Sequence, residues 1–207
     1  MIRPSSLVVA VVVLLASAST LTAAEPTFLG RTRQQWVDQL ESGQRRQRAP
    51  AAWAIQQFAM DEINPQNELV WLNELLLLTE SNSSTSRYWG AIGLGRMIDK
   101  LPADSVVRAK AFEALPALLI DGSLAVRIAA ADGLLPASER KAALAVLTEA
   151  LGHPQEAVRI QAVTALERWG EAARPAMSVL QQATTDASEY VKRISSRALA
   201  KLSASVP

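Results

Sequence analysis

Five basic residues recur at a regular interval and could bind carboxylate, carbonyl or phosphate oxygens. An arginine guanidinium holds several donors in one plane, so it can join two acceptors at once. The spacings of 39, 40, 32 and 33 residues are typical of a solenoid of repeated helical units rather than a globular domain with one active site. The five positions are Arg48, Arg87, Arg127, Arg159 and Lys192.

The residues after each basic position recur in the same register. Small residues stand three and six positions on, and an aliphatic residue stands seven positions on, as in Ala162, Ala165 and Leu166 after Arg159. Regular recurrence is what stacking of repeats requires. We therefore interpret the basic residues as structural ties between a helix and a neighbouring turn. The alternative, a stripe of ligand-binding residues, stays open.

Positions that vary between repeats are better candidates for binding a partner. In a helical repeat, the residues five and nine positions after the basic residue lie on one side. They would line the concave face of a solenoid, and exposed Trp and Arg are enriched at interface hot spots. Trp53 and Trp89 could alternatively fill space between repeats. The candidate partner-binding residues are Trp53, Trp89, Arg96, Asp132, Arg168 and Arg197.

Other reactive residue types are sparse. His153 is the sole histidine and cysteine is absent, so a usual zinc site and a disulfide framework are both excluded. The hydroxyl-rich segment 81–86 has no nearby base to activate a nucleophile. We expect no catalytic residue, metal or cofactor, and we do not expect an enzyme.

An N-terminal group of arginines offers a second kind of site. Arg45, Arg46 and Arg48 follow Arg31 and Arg33, and together they could meet phosphate or a sulfated glycan through charge. The nearby Trp36 and Trp53 would complete such a site. The alternative is an ordinary solvated helix face.

The elements that position these residues are predicted to be helix pairs. Each basic phrase lies on an amphipathic second helix, and a shorter apolar-periodic segment precedes it. Thr32 with Gln35 predicts a capping box at the start of the first pair. Pro116 is expected to kink or end the first helix of the third pair. No strand pattern competes. The predicted first helices span 32–40, 68–78, 106–119, 139–151 and 173–183.

The N-terminal segment is predicted to be a signal peptide. Residues 1–24 carry Arg3, an apolar run from Leu7 to Ala16 and a small-residue cleavage site. The run is short for a membrane span, so we expect export to the periplasm or medium without stable membrane insertion. An uncleaved anchor is the alternative. Removal of Arg3 balances the 20 acidic residues with 20 basic ones, which argues against a nucleic-acid partner.

The phrases that contain Arg127 and Arg159 resemble the second-helix signature of HEAT repeats. In that family an aspartate lies six residues before the basic residue, as Asp121 does here; Ser81 and His153 take that place in other repeats. Segments 30–36, 86–94 and 170–176 are similar to HEAT modules of secreted bacterial proteins, some attached to sulfatases. The resemblance implies an all-α, right-handed α-solenoid of about five antiparallel helix pairs.

The expected organisation is one solenoid that serves as an interaction scaffold. A short linker at 25–30 would precede a solenoid at 31–203, with repeats at about 31–62, 66–100, 104–135, 137–170 and 172–203. We expect a protein partner on the concave face. An accessory module that binds an anionic glycan or supports a sulfatase-type enzyme is the alternative.

Overall fold

The described residues form an α-solenoid. A computed structural model describes residues 27–42, 44–64, 66–135 and 139–204. The predicted signal peptide, residues 1–24, lies outside these ranges, so that prediction stays untested. The first helices of the pairs are α1 (Arg33–Ser42), α3 (Glu68–Thr79), α5 (Val106–Ala114), α7 (Arg140–Leu151) and α9 (Met177–Ala183). The second helices are α2 (Arg45–Glu62), α4 (Ser84–Lys100), α6 (Leu124–Gly133), α8 (Glu156–Trp169) and α10 (Glu189–Ala204).

Local sequence signals set several helix ends. The amide of Thr32 donates to Gln35 Oε1 at 2.9 Å and the amide of Gln35 donates to Thr32 Oγ1 at 3.4 Å, which is the predicted capping box. Helix α5 ends at Ala114, and Pro116–Ile120 continues as a 3-10 helix because proline cannot donate the next backbone hydrogen bond. A second 3-10 helix, Gly170–Ala176, precedes α9.

The recurring small residues permit close packing of the second helices. A Cβ placed on Gly133 in α6 would lie 3.0 Å from Gly95 Cα in α4 and 2.7 Å from Leu115 Cδ1. Only glycine allows this approach between the two helix backbones. The small positions are buried in all repeats, and of the aliphatic positions only Leu199 is half-buried. The shared core therefore runs between pairs.

A short hairpin lies where the sequence predicts a linker and no strand. Strands β1 (Thr27–Phe28) and β2 (Arg31–Thr32) pair antiparallel, and the turn residues Leu29 and Gly30 have φ of 51° and 73°. Positive φ at both turn positions matches the twist of a tight hairpin. Phe28 packs its ring edge on Trp53, with centroids 5.2 Å apart, and its carbonyl accepts from Trp36 Nε1 at 3.0 Å. These contacts cover the first pair.

Candidate interaction face on the second helices

The basic residue of the second repeat joins two repeats. Arg87 Nε and Nη2 donate to the two carboxylate oxygens of Asp121 in the third repeat, at 2.6 and 3.0 Å. Arg87 Nη1 also donates to the carbonyl of Ser81 in its own turn, at 2.8 Å. The hydrogen bond to Arg87 lowers the pKa of Asp121 from its ordinary value. Bidentate geometry of this kind supports the structural interpretation of the basic positions.

The same arrangement recurs between the fourth and fifth repeats. Arg159 Nε and Nη2 donate to Asp186 at 2.8 and 2.9 Å, and Nη1 donates to the carbonyl of His153 at 2.9 Å. The hydrogen bond to Arg159 lowers the pKa of Asp186. Both aspartates occupy the position six residues before the next basic residue. The resemblance to HEAT repeats therefore indicates where these pairs form.

Arg127 and Lys192 lack this aspartate partner. Arg127 is 3.9 Å from Glu149 Oε1, and its buried Nε has no hydrogen-bond partner among the described residues. Its expected aspartate is replaced by His153, whose Nδ1 instead accepts from the amide of Gln155 at 3.1 Å. Lys192 pairs within α10 with Glu189 at 2.6 Å, and Arg48 is half-buried. The predicted set of five thus includes two bidentate ties across repeats in the described part of the chain.

A cavity opens on the side of the second helices that the sequence predicts for binding. We call this surface the second-helix face and define it by Ile92 in α4, Asp132 in α6, Thr164 in α8 and Arg197 in α10. The cavity has a volume of about 220 Å³ and crosses three helices. It is lined by Tyr88, Ile92, Ile128, Ala129, Asp132, Ile160, Gln161, Thr164 and Ala165.

Asp132 is the charged residue in the lining of this cavity, and it pairs with Arg168 beside it. Arg168 Nη2 donates to Asp132 Oδ2 at 2.8 Å and to the Asp132 carbonyl at 3.0 Å, while Nη1 lies 3.6 Å from Asp99 Oδ2. Burial raises the pKa of Asp132 despite the neighbouring Arg168. The carboxylate therefore gains less from its surroundings than it loses by leaving water.

Arg96 joins the same part of the face. A smaller cavity of about 80 Å³ is lined by Arg96, Asp132 and Arg168 together with Ile92 and Gly133. Arg96 is exposed, and no hydrogen bond or ion pair to it is found within the described ranges. Three of the six predicted partner-binding residues therefore surround one site.

At the C-terminal end of the face, both carboxylate oxygens of Glu167 accept hydrogen bonds from neighbouring basic residues. Glu167 accepts from Arg197 at 2.5 Å and from Lys201 at 2.8 Å. The hydrogen bond from Arg197 is the main cause that lowers the pKa of Glu167 from 4.5 to about 2. Arg197 is thus already engaged between α8 and α10.

The two tryptophans do not stand free on the face. Trp53 is half-buried against Phe28 of the hairpin, and Trp89 is half-buried with its ring centroid 5.0 Å from that of Tyr88. This placement favours the alternative that both fill space in the fold. Tyr88 and Gln161 reach the cavity from positions outside the predicted rows.

The N-terminal arginines are also partly engaged. Arg31 donates to Gln39 and its guanidinium carbon lies 4.9 Å from the centre of the Trp36 ring. Arg33 pairs with Glu74 of the second repeat. Arg46 is exposed. The structure therefore places Arg31 and Arg33 in separate local contacts.

The described residues hold no cluster of metal-ligating side chains. No group of three or more His, Asp or Glu side chains within ranges 27–42, 44–64, 66–135 and 139–204 could hold a metal ion. In the same ranges, no helix has the length and apolar character to cross a membrane.

Comparisons with known proteins agree with this architecture. Residues 112–200 match the family model described as HEAT repeats. An engineered protein of the Northeast Structural Genomics Consortium has a TM-score of 0.55 at 20% identity, over 82% of this chain and 78% of that chain. A designed armadillo repeat protein in complex with peptide (KR)4 has a TM-score of 0.54 at 21% identity, over 81% and 80%.

A natural structure is similar as well. The complex of CpcE and CpcF of phycocyanin lyase from Nostoc sp. PCC7120 has a TM-score of 0.56 at 20% identity, over 88% of this chain and 68% of that chain. At these identities the likeness shows the fold alone. A comparison with curated proteins found no match. The repeated phrase, the stacked pairs and the family model agree: residues 112–200 match HEAT repeats, and the described residues have the fold of a solenoid of helical repeats.

Proposed function

We propose that this chain is an exported, non-catalytic scaffold that binds an extended segment of a protein partner along the second-helix face. The observation that carries the proposal is the cavity that crosses α4, α6 and α8, because it places apolar walls beside charged groups at the centre of the face. Interfaces of this composition bind through a buried centre and a polar rim.

The comparisons support a protein partner by analogy of fold. The designed armadillo repeat protein holds a peptide, and CpcE and CpcF form a complex with each other. Solenoids offer long surfaces of stacked helices for such contacts. The charge balance of the chain is consistent with a partner other than nucleic acid.

Affinity capture with a matched pair of variants tests the proposal. Thr164→Glu places a charge at the cavity, whereas Thr148→Glu places one on the first helix α7; both threonines donate within their own helix. We expect the unmodified protein and Thr148→Glu to capture the same partner from the periplasmic or secreted fraction, and Thr164→Glu to lose it. Equal capture by both variants would place the partner elsewhere.

Export is tested separately by sequencing the N-terminus of the protein recovered outside the cytoplasm. A new N-terminus at Glu25 is expected if signal peptidase removes residues 1–24. An intact N-terminus in the membrane fraction would indicate the uncleaved anchor instead.

The anionic-glycan alternative stays a prediction with its own test. It requires retention on a heparin-like resin that declines steeply with salt and with the double change Arg45→Ala and Arg46→Ala. No retention at low salt would remove it. The proposed support of a sulfatase-type enzyme likewise stays a prediction, since it depends on the family resemblance alone.

A further inference from the structure

The cavity on the second-helix face has the size of a side-chain pocket. Its volume of about 220 Å³ is below the range of roughly 300–1,000 Å³ that is common for whole small-molecule ligands. Ile92, Ile128 and Ile160 contribute apolar walls from three successive repeats. One side chain of a bound segment fits this space better than a separate ligand does.

Two oxygen atoms of the cavity residues are left without a partner. Asp132 Oδ1 and Gln161 Oε1 are both buried and accept no hydrogen bond from any described residue. A buried acceptor without a donor costs roughly 1–3 kcal/mol, and such groups are rare in folded proteins. Both atoms are acceptors, so an occupant that satisfies them must carry donors.

Arg96 and Arg168 lie near Asp132 as positive groups and Asp99 as a negative one, and a charged donor forms a stronger hydrogen bond with a carboxylate than a neutral donor does. Arg168 engages the other oxygen of Asp132 and also approaches Asp99 at 3.6 Å. Burial nevertheless raises the pKa of Asp132, so the carboxylate is not fully compensated. A positive group inside the cavity would supply the missing compensation, whereas a carboxylate would face two acceptor oxygens.

We infer that the cavity receives one lysine or arginine side chain of the bound partner segment, with Asp132 and Gln161 as its hydrogen-bond partners. The apolar walls match the methylene stem of such a side chain, and its charged end carries the donors. This inference depends on the proposed function, because it names the residue class that the second-helix face recognises.

The test begins with selection of displayed random peptides on the purified protein. We expect the selected peptides to share one lysine or arginine at a constant position. Replacement of that residue by norleucine, which keeps an apolar stem, should weaken binding about tenfold or more in fluorescence anisotropy. The change Asp132→Asn should weaken binding of the parent peptide by a similar factor.

A double-mutant cycle then locates the contact. In Asp132→Asn, the norleucine peptide should bind as well as the parent peptide, because the interaction has already been removed. Gln161→Leu should give a smaller loss in the same direction. Glu167→Gln is the matched control, since Glu167 is saturated by Arg197 and Lys201, and it should leave the preference for the basic residue intact. Thermal unfolding of each variant checks that the fold is kept.

The outcomes separate the two proposals. The inference is overturned if the peptides that bind the second-helix face share no basic residue. It is also overturned if norleucine replacement weakens binding to Asp132→Asn as much as it weakens binding to the unmodified protein. Either result would leave the scaffold function standing. If no selected peptide binds the unmodified protein and fails to bind Thr164→Glu, both the inference and the scaffold function are overturned.

Discussion

Two kinds of boundary between repeats differ in this molecule. At the boundaries that follow the second and fourth repeats, Arg87 and Arg159 each hold an aspartate of the next repeat with two hydrogen bonds. At the boundary that follows the third repeat, Arg127 forms no hydrogen bond with an aspartate of the fourth repeat, and the cavity of the second-helix face spans this boundary as well as the tied one between α4 and α6. We call the boundaries with an arginine–aspartate pair the tied boundaries and the one at Arg127 the open boundary. Both kinds have the same repeat register.

The turn position six residues before each basic residue explains the difference. Ser81, Asp121, His153 and Asp186 each accept a hydrogen bond from the amide two residues later. Every one of these side chains therefore supports its own turn. Only the aspartates add a carboxylate that also binds the arginine of the preceding repeat. The residue type at this position thus distinguishes the boundaries of Arg87 and Arg159 from that of Arg127.

The largest expected effect is the loss of a tied boundary. Asp186→Ala removes two hydrogen bonds to Arg159 and the acceptor for the Ser188 amide, leaving a mostly buried guanidinium without its partner. We expect the free energy of unfolding to fall by about 3 kcal/mol, as measured by urea unfolding followed by circular dichroism.

His153→Ala is the matched control for that change. It removes only the acceptor for the Gln155 amide, so a loss of about 1 kcal/mol or less is expected. Equal losses in Asp186→Ala and His153→Ala would mean that the turn, and not the tie between repeats, carries the stability.

As pH falls, the carboxyl groups at the two kinds of boundary should change the stability of the fold in opposite directions. Asp121 and Asp186 have lowered pKa values because arginine donates to them, so they stabilise the fold above their unfolded pKa near 3.8 and lose this contribution as pH falls through their folded values. Glu167 behaves alike, and its contribution is present above 4.5 and lost as pH falls through about 2. Asp132 has a raised pKa because of burial, so its protonation favours the folded chain.

Carboxyl NMR during an acid titration measures this contrast directly. Asp121 and Asp186 should titrate below 3.8 and Asp132 above it. In acid unfolding, Glu167→Gln should lose less stability between pH 4.5 and about 2 than the unmodified protein does. A lowered pKa for Asp132 would contradict the description of the open boundary as poorly compensated.

Much of this comparison is predictable from the sequence, because it depends on residues at fixed intervals. The register identifies the buried small positions, and the HEAT signature identifies Asp121 and Asp186 as the aspartates before a basic residue. The row five positions after the basic residue contains Ile92, Asp132 and Thr164, which all line the cavity.

The rest depends on geometry that no single repeat encodes. Which helix positions meet in one cavity, such as Tyr88 of α4 and Gln161 of α8, is set by the stacking of successive repeats. The N-terminal hairpin has two-residue strands, which are too short to show a periodic pattern, and it depends on distant contacts with Trp36 and Trp53. Such features follow from packing between elements and not from local propensity.

A tie can be added where the chain lacks one. His153→Asp keeps an acceptor for the Gln155 amide and places a carboxylate in the position that Asp121 and Asp186 occupy. If Arg127 then forms the bidentate pair, the free energy of unfolding should rise by about 1 kcal/mol. The same change combined with Arg127→Met should show no gain. A gain that persists without Arg127 would assign the effect to the turn.

The smallest effect is expected at the basic residue of the open boundary. Arg127→Met keeps an unbranched stem and removes a buried Nε that has no partner among the described residues, together with an ion pair to Glu149 at 3.9 Å. The attraction between Arg127 and Asp121 is lost as well, but Asp121 keeps Arg87. These small opposing changes should leave the unfolding free energy within about 0.5 kcal/mol of its original value.

Arg159→Met, measured in parallel, should lower the free energy of unfolding by about 2 kcal/mol because Asp186 then loses its paired guanidinium. Equal costs for the two variants would show that the repeated basic residue stabilises every boundary by the same means, whether or not an aspartate faces it.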